Sequence, residues 1–139
     1  MYHQNLVRIP ESAVQSDISE FNTAFQAALG HLPKFTRPPY GNTNGIVSAK
    51  IGSPLILWSV DTLDWKIKTT DSIISTTMDE VYDGAIILMH DIYPTSVDAV
   101  PVLIDTLRQN GYEFVTISEL AEIRKTKLKA SEIYYNFTP

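Results

Sequence analysis

Apolar residues recur at helical spacing through the first part of the chain. After Pro10-Glu11-Ser12, the residues Val14, Ile18, Phe21, Phe25 and Leu29 follow one another at intervals of three or four. The pattern predicts a helix with Ser12 as N-cap, running to Leu29 and stopped by Gly30. Lys34 to Arg37 reads as a short strand, ended by Pro38-Pro39 and Gly41. Asn42 or Asn44 then caps a short helix to about Lys50. Leu55-Ile56-Leu57-Trp58-Ser59-Val60 is an apolar run of strand length, with Trp58 in the core. Asp71 is positioned to cap a helix with Ile74, Met78 and Val81 on one face, ended by Gly84. Ala85 to Met89 is a further apolar strand. Thr95 or Ser96 starts a helix carrying Val100, Leu103 and Leu107, stopped by Asn110-Gly111. Tyr112 to Ile117 reads as a strand, Ser118-Glu119-Leu120 as the start of a last helix, and Ser131 to Pro139 as irregular.

The order is α-β-α-β-α-β-α-β-α, which is the signature of parallel β/α units. Strands apolar throughout are buried on both faces. The fold class is therefore α/β, with about four parallel strands and their helices. A closed barrel needs about eight strands, and half a barrel leaves edges open to mispairing. The 139 residues are thus expected to form part of a domain.

Charge narrows the choice of ligand. The net charge is −5 with no basic run, which argues against nucleic acid and anionic membranes but not against a neutral sugar. There are no cysteines, which excludes disulfides and thiolate metal sites. No apolar run approaches the roughly 18 residues of a membrane span. MYHQNLVRIPE lacks the pattern of a signal peptide, so an export signal is expected upstream if there is one.

Chemistry-bearing residues gather at three predicted strand ends, where α/β folds build their sites. Arg37 and Tyr40 end the first strand, Asp61, Asp64 and Trp65 follow the second, and His90 and Asp91 follow the third. A histidine can protonate a leaving group near neutral pH. A carboxylate on its other ring nitrogen would fix the tautomer and favour the protonated form. Arg37 can hold a second carboxylate through its fork of donors. No serine or cysteine sits on a strained elbow, so direct attack by water, usually metal-assisted, is the simpler chemistry. Each residue also has a plain reading. Asp61 could be a turn former, Arg37 a surface residue before a rigid Pro-Pro turn, His31 a solvated loop residue, and His3 a terminal one.

Three stretches, TRPPYG (36–41), WSVDTLDW (58–65) and ILMHD (87–91), resemble in order and spacing the third to fifth motifs of the polysaccharide deacetylases with a NodB-homology domain. NGYEFVTISEL (110–120) and LKASEIYYN (128–136) resemble the C-terminal end of the peptidoglycan N-acetylglucosamine deacetylases of streptococci and related bacteria. The resemblance implies a distorted (β/α) barrel in which a divalent metal, usually zinc, holds a water that attacks the acetamide carbonyl of N-acetylglucosamine. It implies that Arg37 orients the catalytic base and that the Tyr40 backbone N–H stabilises the oxyanion. His90 would be the general acid, held by Asp64. Trp65 and Leu88 would line the acetyl pocket, and Asp61 would support the site.

The family's paired aspartates, which supply the base and one metal ligand, have no counterpart, since no Asp-Asp pair occurs in the sequence. His3, followed by Gln4-Asn5-Leu6, fits the second histidine of the family's His-x-x-x-His pair. The resemblance therefore implies that residues 1–139 are the C-terminal part of the domain, with an incomplete metal site, and are not a competent deacetylase alone. The expected partners are peptidoglycan or chito-oligosaccharide, together with the missing N-terminal piece or a second copy of the chain. Such an enzyme belongs outside the cell or at its surface. The alternatives are a chitin or other polysaccharide deacetylase and a non-catalytic glycan-binding remnant.

Overall fold

The computed structural model describes residues 3–139, which fall into two compact units. One contains the described residues up to Leu57 together with 128–134, and the other contains 58–127 and 135–139. The chain is α/β and its strand ladders are parallel, as the alternation of strands and helices predicts.

In the first unit, α1 (Glu11–Leu29) and α2 (Gly45–Ile51) pack on the short strand β1 (Leu55–Ile56). Leu6, Val14, Ile18, Val47, Ile51 and Leu55 form the core. Only the N-terminal half of the predicted α1 stripe is fully buried: Phe21 and Phe25 are half-buried with their rings tilted against each other, and Leu29 is exposed. The N-cap is Pro10 rather than Ser12, because proline already presets the entry backbone angle and Glu11 begins the helix. Gly30 closes α1 in the left-handed conformation, and Asn44, not Asn42, caps α2 by accepting the Val47 N–H at 2.9 Å. The predicted strand at 34–37 is reduced to a single bridge between Thr36 and Leu55. The tail, read as irregular, instead supplies β4 (Ile133–Tyr134), which pairs in parallel with β1.

In the second unit, β2 (Val60–Asp61) and β3 (Ile87–Leu88) form a parallel ladder with Val60 opposite Ile87 and Asp61 opposite Leu88. The apolar run 55–60 is thus two strands rather than one. They break where Ser59 takes Ile86 as partner, donating its N–H to the Ile86 carbonyl and accepting the Ile86 N–H on its hydroxyl. The unit also contains the single turn α3 (Asp64–Ile67), α4 (Thr70–Glu80), α5 (Pro94–Gln109) and α6 (Ile117–Ile123). Helices α4 and α5 pack through Ile73, Ala99 and Leu103, flanked by Ile74, Met78 and Met89. The α4 face is therefore turned one residue from the predicted Ile74-Met78-Val81 stripe, with Ile73 and Thr77 innermost. Asp71 lies in the first turn of α4, where it meets the positive end of the helix dipole, and Thr69 is the N-cap. Tyr112 to Ile117 forms no strand. The Thr116 side chain and Glu119 make a capping box that claims the end of this stretch for α6, and Phe114 and Val115 are left exposed. Among the described residues, no helix is long and apolar enough to cross a membrane.

Gly84 is a fixed point of the second unit. The helix before it has already ended at Glu80, and Gly84 has a φ of +87°. Its carbonyl accepts the Phe137 N–H at 2.8 Å, while Phe137 is itself buried. A Cβ at this position would run into the Phe137 backbone carbonyl. Gly84→Ala is therefore expected to lose about 2 kcal/mol or more of stability. Urea unfolding of the two proteins tests this, and equal midpoints would contradict it.

Candidate active site

The turn after β2 places each of its polar side chains on a partner. Asp61 Oδ1 accepts the Leu63 N–H at 3.0 Å, a local bond that bends the chain. Buried Thr62 donates its hydroxyl to the Leu88 carbonyl at 2.9 Å and so ties the turn to β3. Leu63 then adopts φ +54°, a left-handed geometry unusual for leucine. Asp64 follows as the first residue of α3 and is fully buried.

A buried carboxylate is costly unless several donors meet it. Asp64 has three. Its Oδ2 accepts the His90 backbone N–H at 2.6 Å and the Ser96 hydroxyl at 2.7 Å. Its Oδ1 lies 2.7 Å from His90 Nδ1. Because an ionised carboxylate only accepts, Nδ1 must carry the proton in this contact. The other ring nitrogen, Nε2, is then the atom available for proton exchange, and the His90 side chain is 37% exposed. Burial pushes the Asp64 carboxyl up, but the hydrogen bonds from Ser96 and from the ring and backbone of His90 outweigh it. With the added charge interaction of His90, they hold the carboxyl below its ordinary value.

The Tyr93 ring lies edge-on to the His90 ring at 6.1 Å, with the Lys68 ammonium 4.8 Å from the centre of the tyrosine ring. An open, mostly apolar hollow of about 300 Å³ adjoins the histidine, lined by Met89, His90, Asp91, Ser96, Val97, Val100 and Pro101. Trp65 and Leu88 are not part of that lining; Trp65 is partly exposed on α3 and Leu88 is buried in β3.

The remaining predicted residues lie in the first unit. Arg37 Nε donates to the Ile56 carbonyl at 3.1 Å, and desolvation lowers its pKa without removing its charge at neutral pH. Tyr40 sits in the turn Pro39–Gly41 with φ +60° and its ring is exposed. His3 has φ +48° and places its ring edge-on to Tyr40 at 4.8 Å. Among the described residues no three His, Cys, Asp or Glu side chains converge on one point. His3 with these neighbours does not fit a divalent cation site, which takes three protein ligands in catalytic zinc centres.

The sequence pattern marks Asp64 and His90 as site residues but not Thr62 or Ser96. Ser96 was visible only as an alternative helix cap. In the structure Tyr93 is the N-cap of α5, and the Ser96 hydroxyl turns to Asp64 instead.

The depressed Asp64 value fixes the sign of a pH effect. Its stabilising contribution is complete above the ordinary carboxylate value of about 3.9 and is lost as pH falls through the lower folded-state value. Asp64→Asn should be less stable than the parent by about 3 kcal/mol at neutral pH, and the gap should close in acid. Urea unfolding across this pH range tests the expectation; parallel curves would contradict it.

The polysaccharide deacetylase family profile matches residues 1–53. A peptidoglycan-N-acetylglucosamine deacetylase of Listeria monocytogenes is 37% identical over 98% of this chain and 28% of its own length. A peptidoglycan-N-acetylmuramic acid deacetylase of Bacillus subtilis is 34% identical over 90% of this chain and 27% of its own length. The chain thus spans little more than a quarter of these relatives. Among solved structures, T48 deacetylase with substrate superposes with a TM-score of 0.87 at 35% identity, over 95% of this chain and 65% of that one. A family 4 acetyl xylan esterase from Clostridium thermocellum, in complex with a cobalt ion, gives 0.83 at 28% identity, over 95% and 66% of the two chains. With its parallel α/β fold and this likeness along nearly all of its length, the chain belongs to the polysaccharide deacetylase family.

Proposed function

We propose that this chain carries the proton-donating side of a hydrolytic deacetylation of N-acetylglucosamine in peptidoglycan, as the C-terminal part of a deacetylase domain acting at the cell surface. The observation that supports it most is the His90 ring, held through Nδ1 by a fully buried carboxylate with its edge open to solvent. Attack of water on the acetamide carbonyl forms a C–O bond, and collapse breaks the C–N bond. The departing amine needs a proton, which protonated His90 supplies from Nε2. Asp64 holds the opposite N–H and keeps the ring aimed. The apolar hollow at Met89, Val97 and Val100 offers a surface for the sugar beside the histidine. By family resemblance, Arg37 orients the base and the Tyr40 N–H meets the oxyanion. Trp65 and Leu88 bound the acetyl site, and Asp61 shapes the turn.

The base belongs to the paired aspartates, which these 139 residues do not include. A second substrate, N-acetylmuramic acid, is favoured by the likeness to the Bacillus subtilis enzyme.

The test is acetate release from N-acetylated peptidoglycan by the intact protein that contains these residues, with sugar analysis of the product. His90→Ala and Asp64→Asn should each lower turnover by about 100-fold or more, with little change in KM. Parent-like rates in these variants would overturn the assignment. Loss of acetyl groups from muramic acid alone would move the substrate to the second reading.

A further inference from the structure

We infer that Ser96 is a positioning residue for His90, its hydroxyl fixing the Asp64 carboxylate so that one carboxylate grips both the backbone and the ring of the histidine. The inference rests on the reading of His90 as the proton donor.

The geometry leaves the hydroxyl little other purpose. Ser96 is 1% exposed, and its Oγ donates to Asp64 Oδ2 at 2.7 Å. The start of α5 is closed without it, because the Ser96 and Val97 backbone N–H groups both reach the Tyr93 carbonyl. A serine in a first helical turn ordinarily turns its hydroxyl to nearby backbone. Here it reaches 32 residues back along the chain.

The need for a third donor follows from the carboxylate itself. Rotation about the bond to a carboxyl group is soft, with no sharp staggered minimum. The two other donors both come from His90, so they cannot orient the carboxylate independently of the residue it must hold. Ser96 supplies an independent anchor from a helix packed on α4 through Ala99 and Leu103. With Oδ2 fixed, Oδ1 is left facing Nδ1.

The test reads the far-downfield proton resonance of a ring Nδ1–H held by a carboxylate. It would be recorded on the intact protein that contains these residues, as parent, Ser96→Thr, Ser96→Cys, Ser96→Ala and Asp64→Asn, with Leu107→Ala as a destabilised control. The parent, threonine and control proteins should show the resonance. Cysteine, a weak donor, should weaken it, and alanine should raise its exchange with water about tenfold or more. In the deacetylation assay, Ser96→Ala should lower kcat roughly tenfold at near-constant KM, and Ser96→Thr should restore it. If Ser96→Ala fails to fold, the cysteine protein decides. A parent-like resonance in the alanine or cysteine protein, with loss in Asp64→Asn, overturns the role of Ser96 and leaves the reading of His90 standing. Absence of the resonance from the parent overturns both.

Discussion

The site depends on one buried charge. Asp64 has no exposed surface, and its carboxylate persists there because three donors converge on two oxygens. Those donors come from the segment just after β3 and the first turn of α5, while the acid itself opens α3. Satisfying one carboxylate therefore fixes three elements of the second unit relative to one another. The short ladder between β2 and β3 contributes little hydrogen bonding of its own, and the polar contacts of the turn extend it. Thr62 bonds the Leu88 carbonyl, Asp61 bonds the Leu63 N–H, and the left-handed Leu63 delivers Asp64 to its donors.

The same arrangement divides structure from chemistry at the histidine. Nδ1 is committed to Asp64, so only the outer nitrogen can exchange a proton. The carboxylate serves the fold and the proposed reaction through the same bonds. This is why its protonation in acid should weaken both.

Much of this was legible from residue pattern. Val14 and Ile18, the Gly30 stop, the Asn44 cap and the Asn110-Gly111 stop are local signals, and local physics decides them. Asp64 and His90 were legible because a carboxylate and an imidazole stand at the ends of apolar strands. The misses have local or tertiary causes. A threonine three residues before Glu119 closes a capping box that outweighs the strand propensity of Tyr112 to Val115. Ile133 and Tyr134 become a strand only because β1 offers an edge. Ser96 looked like a helix cap, since nothing in its neighbours reveals an acid 32 residues away.

The most direct test of the account is the tautomer of the His90 ring, read from the two ring nitrogen-15 shifts and their couplings to the ring protons near neutral pH. A free neutral imidazole favours the proton on Nε2. Neutral His90 is expected to carry it on Nδ1, and Asp64→Asn to remove the preference. A neutral ring protonated on Nε2 in the parent protein would contradict it, because Asp64 could not then be holding the histidine.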